Sequence, residues 1–138
     1  MSIVNVADLN GVALDWAVAI CENQPVVHDP MGFETGSESG YWIWDDSASD
    51  PRNRTYQLIG REYSPSRNWA QAGQIMERHD IYPARYNGSG ENNPNNYQAG
   101  SGSGSELSRG ETPLIAAMRA LIRSNFGNEI DVPESLLL

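Results

Sequence analysis

Residues 87–110, NGSGENNPNNYQAGSGSGSELSRG, offer a core almost nothing to bury. Glycine, serine and asparagine dominate, a composition that suits a mobile loop better than a packed element. The packed elements are therefore expected before and after this stretch, in a chain of 138 residues. That length suits a single domain over 1–138 with its own core, interrupted by a flexible loop at about 87–110.

The clearest element follows the loop. Thr112-Pro113 is a capping hydroxyl followed by proline at the first helical position. Leu114, Ala117, Met118, Leu121 and Ile122 make the buried stripe, Arg119 and Arg123 share a face, and Gly127 is suited to end the helix. Leu9, Val12, Ala13, Trp16 and Ile20 recur at helical spacing, which predicts an amphipathic helix over 9–22 with Asp8 as its N-cap and Gly11 as a weak point. A third helix over 69–78 places Trp69, Ala72, Gly73 and Met76 on one stripe. Asn68, with Gln71 three residues on, resembles a capping box.

Short strands are expected at 3–6, 26–28, 41–44, 55–59 and 129–132, with His79–Tyr82 leading toward another that Pro83 stops. Alternation puts Tyr41 and Ile43 on one face and Trp42 and Trp44 on the other, so both faces should be at least partly covered. The strands cluster mid-chain and their connections are too short for regular crossovers. The fold class is α+β, a small mostly antiparallel sheet with about three helices and one long flexible loop.

Charge narrows the partners. Nine basic residues face 18 acidic ones, for a net charge of −9, and all nine are arginine. Phosphate contacts drive most nucleic-acid affinity, so a chain this acidic makes a poor general DNA or RNA binder. No apolar run approaches the roughly 20 residues of a membrane span. No basic start or apolar leader marks a signal peptide, and Cys21 alone cannot form an internal disulfide, so a cytoplasmic setting is expected. Two sequons, at Asn53 and Asn87, would matter only after secretion.

Catalytic signatures are sparse. One cysteine and two separated histidines, His28 and His79, do not make a zinc site. No phosphate-binding loop, dinucleotide fingerprint or nucleophile elbow occurs. His79 and Asp80 are neighbours in the chain without an evident nucleophile. We expect no enzyme, no metal and no cofactor.

Two helix starts carry hydroxyls beside an arginine. Ser64, Ser66 and Arg67 precede one, and Arg109 and Thr112 precede the other. Unpaired amides and a local positive field suit such starts to phosphates and carboxylates, even in an acidic protein. Tyr63 and Trp69, with Trp42 and Trp44, offer rings on which a flat group can stack. Each residue also has an ordinary structural role, as a cap, a turn residue or core.

Three stretches, ALDWAVAICEN (13–23), YSPSRNWAQAGQIMER (63–78) and ETPLIAAMRALIRSNFGNEIDVP (111–133), resemble the NinX-like phage proteins, small proteins of unassigned function from tailed phages and prophages. Arg67 and Asn68 depart from that family, which tends to a smaller polar residue and an acid there, and Tyr97-Gln98-Ala99 stands where a tryptophan is more frequent. The resemblance implies a phage protein working in the cytoplasm of an infected bacterial host. It fits an accessory protein that binds and sequesters a small nucleotide-derived defence signal. Tyr63, Ser64, Ser66 and Trp69 would hold the base or ribose, and Thr112 and Arg119 the phosphates. A homo-oligomer suits such a sponge, and Leu136-Leu137-Leu138 offer apolar surface for one. The alternative is an acidic inhibitor that docks Asp45, Asp46 and Asp50 on a basic host or phage protein. Least favoured is a nucleotide hydrolase or lyase with His79 as base.

Overall fold

The computed structural model describes residues 1–29, 40–45, 47–85, 97–100 and 107–137. Strand β1 (Ser2–Asn5) leads through a short 3-10 turn, Val6–Asp8, into helix α1 (Gly11–Cys21). Strands β2 (Val26–Asp29), β3 (Gly40–Asp45) and β4 (Thr55–Leu58) follow, then helix α2 (Trp69–His79). Three very short strands come next, β5 (Ala84–Arg85), β6 (Tyr97–Ala99) and β7 (Ser108–Gly110). Helix α3 (Pro113–Phe126) and strand β8 (Glu129–Val132) end the regular structure. The architecture is α+β. The described strands form three separate small antiparallel sheets, β1–β8, β2–β3–β4 and β5–β6–β7, instead of one.

α1 is the central element. Seven consecutive residues, Ala13–Ala19, are buried, so in its middle the helix is covered on every side and is not amphipathic. Val12, expected on its apolar stripe, is exposed. Its start also differs from the expected one. Asp8 lies in the 3-10 turn, which Asn5 caps by accepting from the Ala7 amide at 2.9 Å. The helix begins at Gly11, two residues past the expected start at residue 9, and the Gly11 φ of 58° is open to glycine at little cost. Glycine here sets the turn into the helix and does not weaken its interior.

α3 packs on α1, and their buried alanines, Ala13, Ala17 and Ala19 on one and Ala116, Ala117 and Ala120 on the other, join one core with Leu14, Met118, Leu121 and Ile122. The caps of α3 are those anticipated. Thr112 Oγ1 accepts from the Ile115 amide at 3.1 Å, and the Gly127 amide donates to the Arg123 carbonyl at 2.9 Å. β1 pairs with β8, Ser2 opposite Val132, and ties the two ends of the chain together. Past Pro133, Leu136 packs against the core and Leu137 stays exposed.

β3 is covered on both faces, as its bulky alternation implies. Ile43 joins the main core and Trp42 is buried on the opposite face. Trp44 lies against Tyr56 across the pair, ring centroids 4.4 Å apart.

The segment 87–110 is not a loop throughout. Its described parts include β6 and β7, and Ala99, Ser108 and Gly110 are buried. Residues 86–96 and 101–106, most of the expected flexible loop, lie outside the described residues. Small residues serve β7 because it passes very close to α3. A Cβ added at Gly110 would stand 2.6 Å from the Ala116 amide nitrogen and 2.8 Å from Ile115 Cγ2. Backbone cannot yield as a flexible side chain does, so Gly110→Ala should destabilise the fold by about 1–3 kcal/mol in urea unfolding. An unchanged midpoint would show that β7 can move off α3.

Candidate functional site

The ten residues between β4 and α2 are held almost atom by atom. The Gly60 amide donates to the Tyr63 carbonyl at 2.8 Å, and the Arg67 guanidinium donates to the Gly60 carbonyl. The Gln71 side chain reaches back from α2, accepting from the Ser64 amide at 2.7 Å and donating to the Glu62 carbonyl. Gln71 therefore pins the loop and does not close a reciprocal box with Asn68, whose own amide donates to the Ser64 carbonyl at 2.9 Å. The Ser66 amide donates to Asp15 Oδ1 at 2.8 Å, and Pro65 is fully buried between these anchors.

Asp15 is a carboxyl in the middle of the most buried helix. Burial pushes its pKa up to about 6, against the opposing pull of the Ser66 amide and hydroxyl and the Arg67 charge. Sequence reading missed Asp15, because nothing local marks a polar residue inside an apolar helix as an anchor for a loop fifty residues away.

The six candidate residues do not share one cavity. Tyr63 is 7% exposed, and its hydroxyl is covered and without a hydrogen-bond partner among the described residues. It lines a cleft of about 280 Å³ with Gln24, Gln57, Ala70, Gln71, Gln74, Ile75 and Arg78. Ser64 and Ser66 are buried and spend their polar groups inside the loop and on Asp15. Trp69 stands at the first position of α2 with 59% exposure, off the buried stripe of Ala72, Ile75 and Met76 on which the spacing had placed it. Thr112 is an exposed cap. Arg119 is buried; its Nε donates to the Leu9 carbonyl and its Nη1 to the Arg109 carbonyl, each at 2.8 Å. Thr112 and Arg119 are absent from the lining of the Tyr63 cleft.

Nor are the two helix starts open cradles of amides. Asn68 Oδ1 accepts from the Ala70 and Gln71 amides at 3.0 and 3.2 Å, and Thr112 takes the Ile115 amide. The protein's own caps compete with any anion for these groups.

What the cleft offers is neutral hydrogen bonding with one cation at its edge. Each glutamine amide can both donate and accept. Burial drives the Tyr63 phenol pKa well up, with the Glu22 and Asp15 charges adding to the effect, so the hydroxyl remains a donor. Arg78 and His79 both donate toward Glu22, His79 Nε2 at 2.9 Å. Burial opposes the Glu22 charge, but these bonds outweigh it and hold the carboxyl below its ordinary pKa. His79 is thus engaged with Glu22 and lies outside the cleft lining. Gln71, Gln74 and Arg78 follow one another at helical spacing on α2, a signal the sequence contains. Gln24 and Gln57 reach the cleft only through the tertiary fold.

The acids proposed for a protein-docking face are partly spent. Asp45 accepts from the Ser47 amide and hydroxyl, and Asp50 from the Arg52 backbone and guanidinium. Asp46 lies outside the described residues. Among the described residues no helix is long and apolar enough to cross a membrane.

The Asp15 environment has a measurable consequence. The folded chain holds this proton up to about pH 6, whereas an unfolded aspartate releases it near 3.8. Stability from this group is therefore fully present below the unfolded pKa and is lost as pH rises through the folded one. Between pH 4 and pH 7 wild-type protein should lose on the order of 3 kcal/mol relative to Asp15→Asn. Parallel urea titrations of the two proteins over that range test this, and a constant difference would mean the carboxyl ionises freely in the fold.

A family model described as Bacteriophage P22, NinX, matches residues 5–125, which takes in all three helices apart from the last residue of α3. No curated protein matches the chain.

Proposed function

The chain belongs to the family of the phage P22 protein NinX, and from that premise we propose that it binds and withholds a small nucleotide-derived ligand, without converting it. The observation that carries this reading is the Tyr63 hydroxyl, buried and unbonded in the wall of a glutamine-lined cleft. A buried polar group without a partner costs about 1–3 kcal/mol, so its retention favours a role that the empty protein does not reveal.

The cleft's size and chemistry suit a nucleoside. At about 280 Å³ it lies near the lower end of small-molecule sites. Glutamine amides can satisfy the mixed donors and acceptors along the edge of a base or a ribose. Gln74 and Arg78, both exposed residues, line the same cleft as Tyr63. Trp69, next in the chain to the cleft residue Ala70, offers an exposed ring for stacking. Arg78 at the margin suits one phosphate, with Glu22 limiting how much negative charge the site accepts.

Capture fits the lining better than catalysis. Among the described residues the lining includes no carboxylate, histidine or cysteine, and burial makes the phenol too weak an acid to give up its proton near neutral pH. Withholding a signal also suits a phage accessory protein, which gains by occupying a host molecule.

The test is incubation of purified protein with a panel of cyclic nucleotides and ADP-ribose derivatives, followed by denaturation and analysis of the small molecules. The expected result is depletion of one compound and its intact recovery. A converted product, or no depletion at all, overturns the reading. Tyr63→Phe should weaken capture about tenfold, the worth of one hydrogen bond to a ligand, while leaving stability unchanged or slightly higher. Trp69→Ala removes an exposed ring and should lose capture with the unfolding midpoint intact.

A further inference from the structure

The cleft beside Tyr63 holds more free hydrogen-bonding capacity than free charge. Of its four glutamines, Gln71 spends its side chain on the Ser64 amide and the Glu62 carbonyl. The side-chain amides of Gln24, Gln57 and Gln74 make no hydrogen bond among the described residues. Each can offer a guest a donor and an acceptor side by side. Such pairs match the edge of a base, which carries both kinds of group in one plane.

Charge is arranged differently. Arg78 is the one ionised side chain among the described residues that line the cleft, and its guanidinium pairs with Glu22. Glu22 lies outside the lining, with its side chain only 8% exposed. Its second carboxyl oxygen is 2.9 Å from His79 Nε2. Burial opposes the Glu22 charge, but the bonds from His79 and Arg78 hold the carboxyl below its ordinary pKa, so it stays ionised at neutral pH. That charge is felt in the cleft wall. Burial first, and then the Glu22 and Asp15 charges, disfavour ionisation of the Tyr63 phenol, and Arg78 opposes each of them by less. The field at the phenol is therefore negative, although the lining's own charge is positive.

We propose that this cleft admits a nucleoside or a derivative with a single negative charge, refuses more highly charged ones, and owes that limit to Glu22. The limit rests on the proposed capture in the same cleft and narrows its ligand. Arg78 offsets one negative charge on a guest. A second finds no further cation among the described lining residues and adds to the repulsion from Glu22. Glu22 touches no guest. It sets specificity through its hold on Arg78 and through its own field.

A ladder of charge on one base tests this by titration calorimetry. Adenosine, guanosine, cytidine and uridine are each compared with their 3′,5′-cyclic monophosphate, which carries one negative charge, and their 5′-monophosphate, which carries nearly two. For a base that binds, the nucleoside and the cyclic monophosphate should have comparable Kd values, and the 5′-monophosphate should bind at least about tenfold more weakly. Sodium chloride should narrow that gap in the wild-type protein, because it screens repulsion, whereas attraction to Arg78 would give the reverse. Glu22→Gln keeps an acceptor for Arg78 and should narrow the gap about tenfold. Glu129→Gln, at an exposed position of β8, changes the net charge equally and should leave the gap alone. Affinity that rises with each charge, a gap that salt widens, or a gap that a folded Glu22→Gln protein retains in full overturns the proposal while capture stands. Binding nowhere on the ladder also overturns it. Capture of a doubly charged ADP-ribose derivative would then leave the broader reading intact, and its absence would remove both.

Discussion

The hydrogen bond from the Ser66 amide to Asp15 is the contact on which the binding surface depends. Asp15 is placed in the middle of a helix that is buried on all sides, where a carboxyl is costly unless something bonds to it. The loop before α2 supplies that partner, and the cost becomes a constraint. The Ser66 amide and hydroxyl both bond to the carboxyl. Once Ser66 is fixed, Pro65 is sealed in, Gln71 can reach the Ser64 amide, and Tyr63 turns its ring toward the cleft wall. Ile59 and Tyr63 add apolar packing from the same loop, so the buried acid supplies direction where the core supplies most of the contact.

The same economy governs the arginines. With no lysine in the chain, each cation carries a planar fork that can serve two acceptors in fixed directions. Arg119 uses this to join the entry of α1 to β7, through the Leu9 and Arg109 carbonyls. Arg123 joins the end of α3 to Asn128 and Leu107. Arg67 closes the loop on the Gly60 carbonyl, and Arg78 pairs with Glu22. Most of these bonds are made to backbone oxygens, which lose no charge when they accept. Arg52, Arg61 and Arg78 pair instead with the carboxylates of Asp50, Glu62 and Glu22.

How far the sequence disclosed this depended on how local each signal was. Caps are local, so Thr112, Asn68 and Gly127 fixed the bounds of α2 and α3 closely. The stripe of α3 was legible for the same reason. The face of α2 was misjudged because Trp69 was counted as apolar core, whereas at the first helical position it projects beyond the packed turn. The right face was Ala72, Ile75 and Met76, with Gln71, Gln74 and Arg78 beside it. The strands β6 and β7 were hidden because composition reports what a segment can bury, not where it runs. Gly110 is small because α3 leaves it so little room, and Ala99 is buried in the core. The family likeness, by contrast, needed no geometry and was readable from three stretches of the chain.

The distribution of unpaired groups decides between a protein that is merely stable and one that is built around something absent. Buried polar atoms are nearly always bonded, and each exception asks for a cause. The Trp16 indole nitrogen is one exception that lines neither cavity and whose ring has an edge contact with Tyr41, so packing accounts for it. Tyr63 and Ser108 differ. Each belongs to the wall of a cavity, each lies beside fixed donors or amides, and neither is needed to complete a bond within the loop or strand that carries it. Phenylalanine and alanine would fill those positions without leaving a polar atom unbonded. Hydroxyls at both positions therefore cost stability that packing alone does not return, and at Tyr63 this is the feature on which the proposed capture rests.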